Sequence, residues 1–431
     1  MNSATTTRPS KEAEVLETIR EFFTRSSDFN GIPIGSLESN ADLTSTELSN
    51  ILESLVNQGH VTLTFASVSA NPHIKRTADL APIEQLPRLA NALHGADQCC
   101  AYPSADVIRH ATDLSQYDER PFTRRLALAE PQLAPVFFSL DVLKRYFDDP
   151  RYHFAFNDYE GSISVVPAHY ESSEMRERDK VFLASFGIGY DKHRRRVVAV
   201  FLRYLSDLTR EHQQSWRSYM VDEPCVINSD YEQSAIWGEW PDHRSAYDAL
   251  MANEAEINKL CKVIGKPPLF RVTARPKALA PMLLPTKRNF NGFTLLFDQL
   301  LSDNISRDFF RGDIDLERRV PAKDGVIERQ QKGTLALLEE WLDSRYSDAT
   351  GKRVGKEIGE LMRDVRKLRQ APAHKADDDA YDDRYPREQD ELVSRGVTSL
   401  TKLRLVLMSH PAAQSRYEPP EWLDSSRIVL Y

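Results

Sequence analysis

Apolar positions in the opening stretch follow the helical period. In "EAEVLETIREFF" Val15, Ile19, Phe22 and Phe23 share one face, which predicts a helix from about Lys11. "GIPI" reads as a short strand. "DLTSTELSNILESLVNQGHVTLTF" supplies an N-cap, a helix from Thr46 to Leu55, Gly59 at its end and then a strand. "SANPHIKR" follows as a polar turn. From 81 to 133 the residues Pro82, Pro87, Pro103 and Pro121 interrupt the pattern and predict a connector of short helices and loops.

The period changes to that of strands between about 134 and 275. "HFAFND" and "SISVVPAHY" form one predicted hairpin across "YEG", and "KVFLASFGIGY" with "RRVVAVFLRYL" forms another across "DKHRR". An α+β domain with an antiparallel sheet is the expectation, with His212 on a polar helix face or capping turn. Beyond Pro285 the helical period returns in "FTLLFDQLLSDNI" and "GTLALLEEWL". In "VGKEIGELMRDVRKL" it aligns Val354, Ile358, Leu361, Val365 and Leu368 on one stripe, and "EQDELVSRGVTSLTKLRLVLM" gives a long last helix. Four such helices predict an all-α bundle over 285–431. The chain is therefore read as a multidomain α+β protein: a loose tail over 1–10, a small module over 11–80, the connector, the central domain and the bundle.

Composition narrows the function. The 431 residues carry a formal net charge of −8, which argues against a surface coated for indiscriminate nucleic-acid binding while leaving room for a local basic groove. Cys99, Cys100, Cys225 and Cys261 have no C-x-x-C spacing, so reduced thiols in a cytoplasmic protein are expected. The N-terminus lacks the apolar core of a signal peptide, and no apolar run reaches the roughly 18–20 residues that span a bilayer. No nucleophile elbow, Walker loop, zincin pair or dinucleotide fingerprint is present, and the glycines of "FGIGY" are too isolated to make a phosphate cradle.

The order helix, short strand, helix, helix and strand pair over 11–80 resembles a winged helix. Such modules read DNA through the helix before the wing, yet here that helix has no Lys or Arg and carries Glu47 and Glu53. Only Lys75, Arg76 and His73, in the wing, could meet a DNA backbone. Docking a protein partner is the better expectation.

The bundle ends its third helix in "KLRQAPAHKADDD", where Arg369 and His374 enclose four residues and polar Gln370 follows the arginine. A helix closing on R-x4-H, then a polar loop and a long last helix, resembles the ribonuclease members of the HEPN superfamily. The resemblance implies metal-independent RNA cleavage at a site formed where two bundles pair as a homodimer. Arg369 would hold the phosphate, His374 would move protons and Gln370 would orient one of them. Imidazole suits proton transfer near neutral pH, and guanidinium offers a fixed fork of donors to phosphate oxygens. Arg363, Arg366 and Lys367 on the same helix would extend a basic strip along the RNA. Neither a cofactor nor a metal is expected.

The family's motif allows four to six residues between the two, and two other pairs, each enclosing five, also fit it: Arg88 with His94 and Arg404 with His410. The first lies in the Pro-broken connector and the second is followed by apolar "LVLM". The run Asp377, Asp378, Asp379, Asp382 and Asp383 reads as solvated carboxylates rather than a cation site, and Asp313, Asp315 and Glu317 of "GDIDLERR" as an exposed strand or loop. By analogy of architecture, front domains that sense and a bundle that cuts would suit a toxin or anti-phage effector. The rivals are a dimerising scaffold without enzymatic activity and a winged-helix DNA-binding regulator.

Overall fold

Helix α1 (Lys11–Arg25) starts where Ser10 caps it, its Oγ accepting the Ala13 N–H at 3.2 Å, and buries Val15, Ile19 and Phe23. The computed structural model describes residues 10–431 except 42, 69–70, 77–78, 148, 173–174, 322–326, 348–349, 371–377, 415 and 425–426. The chain divides into two units, Met1–Trp240 and Pro241–Tyr431. It is a mixed α+β protein with small antiparallel sheets and a helical C-terminal region.

In the first unit α1 is followed by β1 (Ile32–Pro33), α2 (Ile34–Ala41), α3 (Ser45–Asn57) and β2 (Val61–Phe65). Thr44 and Glu47 form a capping box at the start of α3, and Glu47 also binds Lys11 at 2.8 Å. That acidic residue therefore has a folding role of its own. After β2 come α4 (Pro82–Leu93) and β3 (Cys99–Pro103), and the antiparallel sheet runs β1-β3-β2. The middle strand thus lies beyond residue 80, inside the stretch expected to be connector. Every residue of β3 is buried, so it lacks the polar–apolar alternation by which strands are recognised. Gln85 of α4 accepts the Leu63 N–H at 2.8 Å, which ties the intervening helix to β2.

The larger sheet matches the expected hairpins. Strands β4 (Pro135–Phe138), β5 (Tyr152–Phe156), β6 (Glu160–Val165), β7 (Phe182–Asp191) and β8 (Arg196–Phe201) run in the order β4-β8-β7-β6-β5, and β9 (Cys225–Ile227) adds to β7. Asp191 closes the β7–β8 turn by accepting the N–H groups of His193 and Arg195, each at 2.8 Å. Gly187 lies against Tyr231, where a Cβ would stand 2.2 Å from the ring. The "FGIGY" glycines therefore admit aromatic side chains to the sheet. Helix α5 (Arg210–Arg217) seats Trp216 edge-on to Phe138. His212 sits in the capping turn of α5, but it is fully buried and not on a polar face: its Nδ1 meets Thr209 Oγ1 at 2.8 Å and its ring stacks on Tyr146.

The second unit is built on α6 (Ala246–Val263), α7 (Lys287–Asp298), α8 (Thr334–Arg345), α9 (Gly355–Ile358), α10 (Glu360–Gln370) and α11 (Tyr385–Met408). The stretch 285–431 is not all-α as expected: strands β10 (Glu317–Pro321) and β11 (Ile327–Gln331) pair antiparallel between α7 and α8. Although the sequence pattern grouped α6 with the preceding strands, it packs against α11 in this unit's core. A Cβ on Gly396 would lie 2.8 Å from both Leu250 and Phe297, so glycine lets these helices approach closely. The expected stripe from Val354 to Leu368 breaks at Gly359, between α9 and α10, and Leu368 is left 40% exposed. Among the described residues no helix is long and apolar enough to cross a membrane.

Candidate functional site

The last residues of α10 and the end of α7 meet at a cleft of about 790 Å³ in the second unit. Its walls include Arg271, Asp298, Asp303, Arg307, Lys332, Thr334, Arg366, Arg369 and Gln370. Helix α7 does not stop cleanly at Asp298 but widens through Gln299–Asp303 into a π turn, in which the Asn304 N–H reaches Gln299 O at 2.8 Å. An insertion of this kind shifts the helical phase and is frequent at functional sites. Here Asp298 and Asp303, five residues apart, grip the same arginine.

Arg369 Nη1 donates to Asp298 Oδ2 at 2.7 Å and to Asp303 Oδ2 at 3.0 Å. Arg366 Nη2 reaches Asp303 Oδ1 at 3.3 Å, and its Nε lies 3.5 Å from Asp298 Oδ1. Asp298 is fully buried, whereas the Asp303 side chain is half exposed. A buried carboxylate without a cation would be strongly unfavourable, so the two arginines stabilise the charge that α7 carries into the core. In return the carboxylates, Asp298 first and Asp303 second, push the Arg369 guanidinium still further above its ordinary range.

The other two arginines of the cleft are placed differently. Arg271 Nη2 donates to the carbonyl of Ile305 at 3.1 Å, and Arg307 Nη2 donates to the carbonyl of Lys332. Neither has a carboxylate partner among the described residues, and Arg307 Nε is buried without a hydrogen bond. Lys332 turns its ammonium away, onto Glu340 at 2.8 Å. Asn304 fixes the chain that carries Arg271: its Oδ1 accepts the N–H groups of Arg271 and Val272 at 3.1 and 2.9 Å, and its Nδ2 donates to Val272 O at 2.7 Å. The same Nδ2 lies 3.2 Å from Glu254 Oε2. Burial pushes the Glu254 carboxyl up to about 9, against which the Asn304 contact pulls only weakly, so this group is protonated at neutral pH.

Of the residues singled out from sequence, Arg369, Gln370 and Arg366 line the cleft, while His374 lies outside the described residues. Arg363 is not in its wall; the side chain pairs with Glu339 of α8 and with the Lys356 carbonyl. Lys367 is exposed, 3.7 Å from Asp364. The expected basic strip is therefore broken, because α10 turns Arg363 inward to hold α8. Lys75 and Arg76 are not placed to meet DNA either. Lys75 is buried with its Nζ 2.5 Å from Asp79 and 3.2 Å from Ala129 O, and Arg76 pairs with Glu232 and covers the Trp237 ring.

The acidic loop is likewise in use where it is described. Asp379 accepts the Arg288 N–H at 2.8 Å in the first turn of α7, and Asp382 pairs with Arg384. Asp313, expected to be exposed, joins Lys266 at 2.7 Å, Trp341 at 2.6 Å and Arg345 at 3.0 Å. Arg404, set aside as part of a chance motif, is fully buried between Asn253 and Asp424. Among the described residues no group of three or more His, Cys, Asp or Glu side chains is placed to hold a metal ion.

Comparison with protein-family models, with curated proteins and with solved structures gives no match for this chain.

Sequence reasoning missed Asp298, Asp303, Arg271, Arg307 and Glu254. One signal was available: Asp298 interrupts the apolar run "FTLLFDQLL" at a position the helical period buries. A carboxylate there requires a cation from elsewhere.

Proposed function

We propose that the second unit is a HEPN-like bundle that cleaves RNA without a metal, with Arg369 on the phosphate and His374 as proton carrier. The observation that carries this reading is the position of Arg369 and Gln370, at the end of α10, in the wall of a cleft rich in arginine. In the reaction an imidazole takes the proton from a ribose 2′-hydroxyl. The 2′ oxygen bonds to phosphorus, the P–O5′ bond breaks, and O5′ receives a proton from the second copy's imidazolium. Arg369 stabilises the charge gathering on the non-bridging oxygens. The products carry a 2′,3′-cyclic phosphate and a 5′-hydroxyl.

The test incubates the purified full chain with single-stranded RNA in EDTA and identifies the product ends. His374→Ala should abolish cleavage with the fold intact; undiminished cutting by that variant would refute the assignment. The winged-helix-like segment of the first unit would serve as a protein-docking module, and a trigger sensed by that unit would fit a defence or toxin role.

The ion pairs of Arg369 with Asp298 and Asp303 favour a second reading, in which the arginine is a structural tie and the bundle a dimerising scaffold. Under it no variant of His374 changes anything measured on RNA.

A further inference from the structure

The charges of the cleft are unevenly balanced. Arg366 and Arg369 are paired with two aspartates and are internally neutralised. Arg271 and Arg307, which line the same cleft, spend one donor each on backbone carbonyls and keep the rest of their forks without a counter-charge among the described residues. Helix α8 begins at Gly333 and Thr334, both of which line the cleft, and no side chain caps its first turn. Two uncompensated guanidinium groups beside the positive end of a twelve-residue helix form a cradle for a compact anion.

We propose that Arg271 and Arg307, with the start of α8, form a phosphate-binding subsite. Tetrahedral phosphate oxygens match two planar forks better than a single carboxylate does. The volume, about 790 Å³, exceeds what one ion needs and suits a phosphate attached to a nucleoside or to a strand. The subsite stands independently of the cleavage assigned to Arg369 and His374, since it uses neither residue. Asn304, braced by protonated Glu254, is a positioning residue because it fixes the backbone of Arg271.

The experiment titrates the full chain by calorimetry with inorganic phosphate, adenosine 5′-monophosphate and a short single-stranded RNA lacking terminal phosphates, using acetate as the control anion. At least one of the three phosphate compounds should bind while acetate does not. Arg271→Gln and Arg307→Gln should each weaken that binding tenfold or more, and Lys402→Gln, at an exposed lysine that pairs with Glu357 away from the cleft, should leave it within threefold. Binding of the monophosphate or of phosphate itself assigns the subsite to a free or terminal phosphate; binding of the RNA alone assigns it to a backbone phosphodiester. The proposal is overturned if none of the three binds, or if acetate binds as well as phosphate. Undiminished binding in both glutamine variants would also overturn it. Should Arg307→Gln disturb folding through its lost tie to Lys332, judged by circular dichroism, the exposed Arg271 decides alone.

Discussion

Replacing Glu254 with glutamine should stabilise the second unit at neutral pH, and by a margin that grows with pH. The carboxyl is buried within the helical core, Oε2 meets Asn304 Nδ2 at 3.2 Å, and Oε1 has no hydrogen bond. Burial raises it to about 9, from an ordinary 4.5 that the unfolded chain regains. Between those limits the folded state holds a proton that the unfolded state releases. Its stabilising effect is complete below about 4.5 and is lost as pH rises through the folded value, at about 1.4 kcal/mol per pH unit. By pH 7 the loss is about 3 kcal/mol. Glutamine keeps an acceptor for Asn304 and does not titrate, so the variant escapes this slope. Its new amide N–H₂ in place of Oε1 costs about 1–3 kcal/mol if unpaired, but that offset is the same at every pH. Urea unfolding of both proteins at pH 5, 6, 7 and 8 gives the difference directly, since other titrating groups cancel. A wild-type-minus-variant difference that stays flat across this range would refute the assignment of a neutral buried carboxyl.

Three other outcomes follow from named contacts. Arg369→Ala deprives buried Asp298 of its closest cation and should cost about 2–3 kcal/mol in urea unfolding, less than the 3–5 typical of a fully buried pair because Arg369 is 37% exposed and Arg366 remains nearby. Gly187→Ala drives a methyl into the Tyr231 ring and should lower stability by about 1–3 kcal/mol by thermal unfolding; an unchanged melting temperature would mean that β7 yields easily. Burial lowers His212 to about 4, so the stability its neutral form provides is complete above about 6.5 and falls as pH drops toward 4. His212→Gln should flatten that acid limb, read by melting at pH 4.5, 5.5 and 7.

The hairpins β5–β6 and β7–β8 were legible because each is a pair of apolar, β-branched or aromatic runs joined by a short polar turn, "YEG" and "DKHRR". Strand β3 and helix α6 were not, for a common reason. Each is buried on more than one side, which erases the period that marks an element's face, and neither is flagged by a polar hairpin turn as the equally buried β8 is. The end of α10 was visible as a cationic helix terminus, but its partners were hidden by distance along the chain. Asp298 and Asp303 lie more than sixty residues before Arg369, and their shared grip depends on a π turn that no simple spacing announces. Arg363 misled because charge on a helix face was read as solvent-facing, whereas tertiary packing put Glu339 beside it.

The division of charge within the cleft also says what a ligand must do there. Arg369 is charged at every working pH, but its field at short range is largely cancelled by two carboxylates, one of them immovable in the core. A phosphate approaching that wall meets Asp303 before it meets a free cation, and like charges repel at such distances. Binding through Arg369 therefore requires Asp303, the exposed member, to yield its place. Asp303→Asn removes this competitor while keeping a hydrogen-bond acceptor for Arg369, and leaves Asp298 to balance the buried charge. If Arg369 engages phosphate, the asparagine variant should bind RNA several-fold more tightly, with a steeper dependence on salt because one more uncompensated cation meets the backbone. If Arg369 serves only as a tie, the variant should lose stability slightly and leave RNA binding where it was.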